Sequence, residues 1–251
     1  MSGHSKWSTI KHKKGATDAK RGKIFTKVIK EITVAARIGG GDVDGNPRLR
    51  LAVQKAKEVN MPQENVTRAI KKGTGELEGV QYQEISYEGY GPGGVAIFME
   101  VMTDNKNRTI SELRAVLDKN GGNMGENGCV AWIFEKKGTI TIMTSEKNEE
   151  ELLELVMDAG GDDLQTVDDH YEITTSIETF ESVRKAIENS GIKVQSAELT
   201  RIPQNMVNVE EKNCKSLLRL MDMLEDHDDI QKVYSNFDIT DELIAIMEKN
   251  S

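Results

Sequence analysis

The chain has 251 residues, 30% of them charged and 37% hydrophobic. That balance fits a globular protein of two or three domains and excludes a wholly disordered one, and no apolar run approaches the ~20 residues a bilayer crossing needs. The formal net charge of −9 hides an asymmetry: residues 1–72 carry 17 Lys and Arg against 6 Asp and Glu, whereas residues 73–251 carry 16 against 36. A basic end of +11 joined to a body of −20 is a dipole whose basic face seeks polyanions and whose acidic face repels them.

Residues 1–19 read as a polar, basic arm; the start lacks the apolar centre of a secretory signal, so a cytoplasmic location is expected. A helix follows over residues 20–38, with Ile24, Val28, Ile32, Ala35 and Ala36 recurring at helical spacing. Gly39-Gly40-Gly41 stops it. Asn46 as cap and Pro47 in the first turn open a second helix, whose inward side is Leu49, Ala52, Val53, Ala56 and Val59. Pro62 opens a third, carrying Val66, Ala69 and Ile70. Lys71 and Lys72 lie at its C-terminal end, where the helix dipole favours cations, and Gly73 is expected to end it.

After a Gly-rich linker at 74–81 the period becomes extended. Strands are predicted at 86–90 and 95–103 around Gly91-Pro92-Gly93-Gly94, a helix at 108–119 and a strand at 129–134. The stretch 138–200 then reads strand, helix, two strands, helix, strand, a ferredoxin-like order. A strand at 206–209, a helix at 211–225 and a strand at 230–236 complete a second such order with 95–103, 108–119 and 129–134. The expected fold is therefore a multidomain α+β chain. An N-terminal three-helix domain (1–75) is followed by two ferredoxin-like α+β domains, one (136–201) inserted in the other (80–135 plus 202–251).

Lys20, Lys23, Lys27, Lys30 and Arg37 fall within about 100° of one another on the first helix, nearly opposite its apolar stripe. Solvated faces usually mix signs, and only Glu31 interrupts this one, so the stripe is read as a phosphate-binding face rather than a merely solvated one. Because exposed helix positions tolerate alanine, replacing Lys20, Lys23, Lys27 or Lys30 is expected to weaken binding without unfolding the domain. Trp7 either stacks on a base or anchors the arm to the helices. Arg48, Arg50, Lys55, Arg68 and Lys72 either extend the patch or are ordinary surface charges. The candidate nucleic-acid-binding set is Lys6, Trp7, Lys11, His12, Lys13, Lys14, Lys20, Arg21, Lys23, Lys27, Lys30, Arg37, Arg48, Arg50, Lys55, Arg68 and Lys72.

No catalytic residue, metal ligand or cofactor is assigned. Gly89-Tyr90-Gly91-Pro92-Gly93-Gly94 has the letters of a dinucleotide loop, but such a loop must open a helix, and a strand-like run follows. Asp42, Asp44 and Asn46 imitate the start of a calcium loop, yet Pro47 and Val53 stand where Gly and a bidentate Glu are required. His4, His12, His170 and His227 match no zinc-protease pattern. Cys129 and Cys214 match no zinc spacing and read as reduced, buried thiols. Glu225, Asp226, Asp228 and Asp229 around His227 read either as a cation site or as a solvated helix end.

Gly3-His4-Ser5-Lys6-Trp7, Ile10-Lys11-His12-Lys13-Lys14 and the runs at 18–27, 31–37, 39–42, 46–50 and 68–73, with Asn60-Met61-Pro62 and Asn107-Arg108-Thr109, resemble the YebC/PmpR family over essentially the whole chain. Gly15 and Cys129 stand where that family has Ala and Ser. The resemblance implies a helical domain and two α+β domains, one inserted in the other. It also implies a non-enzymatic role in gene expression: a DNA-binding transcriptional regulator acting on promoter DNA. The alternative is a ribosome-associated translation factor that relieves stalled elongation through ribosomal RNA or tRNA. A monomer without membrane contact is expected. A lysine stripe reads phosphates of either polymer and carries no sequence information.

Overall fold

In the computed structural model, residues 18–167 and 169–238 are described, with side chains from Arg21 onward. Lys6, Trp7, Lys11, His12, Lys13, Lys14 and the side chain of Lys20 lie outside the described residues.

Helix α1 (Asp18–Gly39) buries Val28, Ile32, Ala35 and Ala36, while Ile24, at the end of the same stripe, is exposed. Helix α2 (Pro47–Glu58) opens as its sequence dictates. The Leu49 N–H donates to Asn46 Oδ1 at 3.1 Å, and Pro47 sits in the first turn, where no N–H is needed. Asn46 Nδ2 also donates to the carbonyls of Ala35 and Gly40, both at 2.9 Å, so one buried side chain closes α1 and opens α2.

Helix α3 (Gln63–Thr74) runs one residue past Gly73, and the residue that ends it is Gly75, in the left-handed conformation at φ 82°. Gly73 serves close approach instead: a Cβ there would lie 2.7 Å from Ala36 Cβ. The two glycines divide the tasks that the sequence had assigned to one.

The first α+β layer comprises strands β1 (Gln83–Tyr90) and β2 (Ala96–Thr103), helix α4 (Lys106–Lys119) and the short strand β3 (Asn123–Met124). Five further strands and two helices intervene before helix α7 (Glu211–Glu225) and strand β9 (Ile230–Ser235) complete it. Its sheet order is β3-β1-β2-β9, antiparallel throughout. Ile97, Met99 and Val101 on one face of β2 meet Leu113 and Leu117 of α4 and Leu217, Leu220 and Leu224 of α7.

This order is ferredoxin-like in space, but two strand assignments differ from the sequence reading. The place beside β2 expected for 206–209 is taken by β1, which reaches β2 through a turn with Gly93 and Gly94 at φ 77° and 76°, and the edge place expected for 129–134 is taken by β3. Residues 131–133 form one 3-10 turn. The backbone donors there are already engaged: the buried Glu88 carboxylate accepts the N–H groups of Gly128, Val130 and Ala131 at 2.7, 2.7 and 2.8 Å. At the other end, β8 (Val207–Asn208) pairs in parallel with β10 (Phe237–Asp238) in a separate ribbon.

Residues 132–205 form a compact unit of their own. It runs β4 (Phe134–Met143), α5 (Glu149–Asp158), β5 (Gly161–Val167), β6 (His170–Thr175), α6 (Phe180–Asn189), β7 (Val194–Pro203), in the sheet order β5-β6-β4-β7. Ile140, Ile142 and Ile173 pack against Leu152 and Val156 of α5 and Val183 and Ile187 of α6. The chain is thus an α+β protein with a three-helix start and two ferredoxin-like layers, the second inserted in the first. No described helix is long and apolar enough to cross a membrane.

Candidate nucleic-acid interface

The basic side of α1 faces a surface of its own chain. Lys30 is only 6% exposed. Its Nζ donates to Asp229 Oδ1 at 2.7 Å and to the carbonyls of Asp228 and Met102 at 2.9 and 3.3 Å, and lies 5.4 Å from the Tyr82 ring centroid. Asp229 is buried too, and its other oxygen accepts from Thr109 Oγ1 at 2.7 Å and Arg108 at 2.9 Å. Burial by itself would push the Asp229 carboxyl up, but hydrogen bonds from Lys30, Thr109 and Arg108 outweigh it and hold the group well below the usual carboxylate range.

One turn earlier, Lys27 Nζ donates to the Glu225 carbonyl at 2.6 Å, on the last residue of α7. Helix ends leave such carbonyls without intrahelical partners and carry the negative end of the dipole. Lys23 pairs with Asp226 at 3.5 Å, both half-exposed. The stripe expected to face solvent is therefore in large part a docking surface. Lys30 in particular is unavailable to a phosphate here, because a buried carboxylate and two carbonyls already surround it.

The acidic run at 225–229 is only in part a solvated helix end: Asp226 and Asp228 stay exposed, while Asp229 and the carbonyls of Glu225 and Asp228 form the other half of that dock. Glu112, His227 and Asp229 lie close enough to hold an ion, but their donor atoms are engaged. The Asp229 N–H donates to His227 Nδ1 at 3.1 Å, which leaves the proton on Nε2, 3.1 Å from Glu112 Oε2.

Several remaining candidates are partnered as well. Arg48 forks onto Glu31 at 2.7 and 3.2 Å and onto Glu84 at 2.6 and 3.1 Å, tying α1, α2 and β1 together. Lys55 pairs with Glu58 and Arg68 with Glu64, at 2.9 and 2.8 Å on exposed helix faces. Arg50 donates to the Val43 and Asp44 carbonyls. The Arg21 guanidinium stacks on Phe25, 5.4 Å from the ring centroid.

Arg37 and Lys72 differ. Both are exposed and form no ion pair with another described residue, and the same holds for Lys71. Gly73 brings them to one end of the domain: a Cβ at that position would lie 3.2 Å from the Arg37 backbone nitrogen, which sets the last turn of α1 against the last turn of α3. Lys71 was not among the candidates. Its signal was available, since it adjoins Lys72 at a helix end, but stripe-counting on single helices passes over a cluster assembled from two.

Nothing described suggests nucleophilic chemistry. Burial pushes both thiols, half-buried Cys129 and buried Cys214, up from their ordinary range, away from the reactive thiolate. The glycine run at 89–94 leads into β2 and not into a helix.

Two family models match the chain: the TACO1/YebC N-terminal domain over residues 5–76 and the TACO1/YebC second and third domain over residues 82–237. A probable transcriptional regulatory protein of Syntrophobacter fumaroxidans is 60% identical over 97% of this chain and 98% of its own. One from Geobacter sulfurreducens is 60% identical over 98% of this chain and 100% of its own. Among solved structures, a conserved hypothetical protein from Aquifex aeolicus superposes with a TM-score of 0.80 at 46% identity, covering 89% of this chain and 93% of that one.

Proposed function

Since this chain belongs to the TACO1/YebC family, we propose that it is a non-enzymatic, cytoplasmic regulator of gene expression that binds nucleic acid through its helical domain, with DNA as the target and transcription as the process. The carrying observation is the exposed cation cluster of Arg37, Lys71 and Lys72, which no described carboxylate neutralises, on a domain of charge opposite to the rest of the chain. The basic arm of residues 1–14 extends the same charge. The names carried by relatives 60% identical over nearly their full length support regulation of transcription.

Lysine and arginine side chains at helix ends bind phosphates by charge and counterion release, so affinity falls with salt. They position a polymer and do not read its bases. The test is a binding isotherm for a candidate promoter duplex against a scrambled duplex at physiological salt. Tighter binding to the promoter supports operator recognition, and equal binding removes it.

A second reading, a ribosome-associated translation factor, is favoured by the size of the acidic body. A charge of −20 outside residues 1–72 confines polyanion contact to one small face, which suits a groove lined by RNA better than a long duplex. Co-sedimentation with ribosomes that survives DNase supports this reading, and loss of it on DNase treatment argues for DNA.

A further inference from the structure

Resting on the nucleic-acid reading above, we propose that the acidic corner at residues 225–229 stands in for nucleic-acid phosphates. It masks Lys23 and Lys27 of α1, and the protein thereby holds two latent phosphate contacts that nucleic acid gains by displacing the rim of the dock.

The contact is graded, and the grading makes displacement feasible. At its centre Lys30 and Asp229 are both buried and joined at 2.7 Å, with Arg108 and Thr109 on the same carboxylate. A pair of this kind resists opening, because breaking it strands a charge away from water. At the rim the Lys23–Asp226 pair is long, 3.5 Å, and both side chains are more than a third exposed. Exposed pairs of this sort contribute little and are screened by salt. Lys27 is only half-buried at the rim, where it donates to the Glu225 carbonyl at 2.6 Å on the end of α7. A phosphate can therefore compete for Lys23 and Lys27 while the Lys30 clamp stays closed.

The chemistry of the two surfaces matches. A helix C-terminus presents carbonyl oxygens at the negative end of a dipole, and beside it stand the exposed carboxylates of Asp226 and Asp228. Closely spaced oxygens of partial and full negative charge are also what a phosphodiester backbone offers to a lysine ammonium. The exposed carboxylates act within a Debye length of about 8–10 Å as well, so they repel a polyanion from the very lysines they cover. The regulation is thus competitive and salt-sensitive.

The experiment uses the full chain and a labelled thirty-nucleotide single strand, with affinity measured across a salt series. D226N/D228N leaves Asp229 and the clamp in place, and a thermal melt verifies this. The expected result is tighter binding and a log affinity against log salt slope steeper by roughly 0.7 for each lysine released. Adding K23Q/K27Q to that variant returns the slope to the starting value, whereas K23Q/K27Q alone leaves it nearly unchanged. An unaltered slope in D226N/D228N overturns the masking proposal. So does a gain that persists in the quadruple variant, since that reports charge in general, or a drop for K23Q/K27Q alone, since those lysines are then already in use. The underlying reading fails differently: no binding by any form, or binding indifferent to R37Q/K71Q/K72Q, removes the proposed site itself.

Discussion

Two groups of cations on the helical domain have the same charge and opposite surroundings. Lys23, Lys27 and Lys30 lie along one side of α1 and meet carboxylates and carbonyls of the chain between residues 225 and 229. Arg37, Lys71 and Lys72 lie where α1 and α3 end and meet no described carboxylate. A basic stripe on a helix therefore does not announce its partner. What decides between structural clamp and binding site is whether another part of the fold presents the complementary charge, and a lysine pair becomes a fixed part of the structure only when burial removes the competition of water.

The sharpest way to break this contrast is K30A. It leaves Asp229 buried with one partner fewer, and breaking a buried pair costs about 3–5 kcal/mol; urea unfolding of the full chain measures it. The original expectation of harmless replacement then holds for exposed positions and fails at Lys30. A pH series sharpens the point. Asp229 has its pKa lowered in the folded protein, so the stability it contributes is complete above the ordinary carboxylate value and is lost as pH falls toward the folded value. D229N should flatten that acid limb; an acid limb identical to the wild type would show that Asp229 does not carry it.

Next in size is R37Q/K71Q/K72Q, with its effect on binding rather than folding. Three lost phosphate contacts lower the salt slope by roughly 2–3 in total, while stability stays within about 0.5 kcal/mol, as expected for surface changes. Should the slope hold and the stability fall, the two groups of cations would have to exchange roles.

Smaller is R48A. The guanidinium forks onto Glu31 and Glu84 but is more than a third exposed, so solvent screening limits the loss to about 1 kcal/mol, with an unchanged salt slope. Smallest are K55A and R68A, which remove exposed pairs one helical turn apart and cost roughly 0.3–0.5 kcal/mol each. Differential scanning calorimetry separates these from R48A, and a binding change in either would return those residues to the site.

Much of this architecture was legible in the chain. Asn46-Pro47 marks a helix start by local hydrogen bonding alone, and the alternation in residues 138–200 spells the inserted ferredoxin-like layer, because period and capping act over a few residues. The outer layer was half legible. Its helices were placed, but β1 stands where 206–209 was expected and β3 where 129–134 was expected, and Glu88 reaches across 40 residues to claim backbone donors of that last segment. Gly73 and Gly75 show the same division at short range: either could end α3, and the approach of α1 assigns the close contact to the first and the left-handed turn to the second.

By itself the amino-acid sequence determined that one end of the molecule is basic, that this end is helical, and that two α+β layers follow, because charge content and periodicity are properties of neighbouring residues. Only the tertiary structure decided which lysines are free to meet a polyanion. Lys30 and Asp229 are 199 residues apart along the chain and 2.7 Å apart in space, and neither position carries a local mark of the other. Their pairing is set by how α1 packs beside the α7–β9 turn, and it is that packing, by excluding water, that turns one stretch of a basic stripe into part of the core.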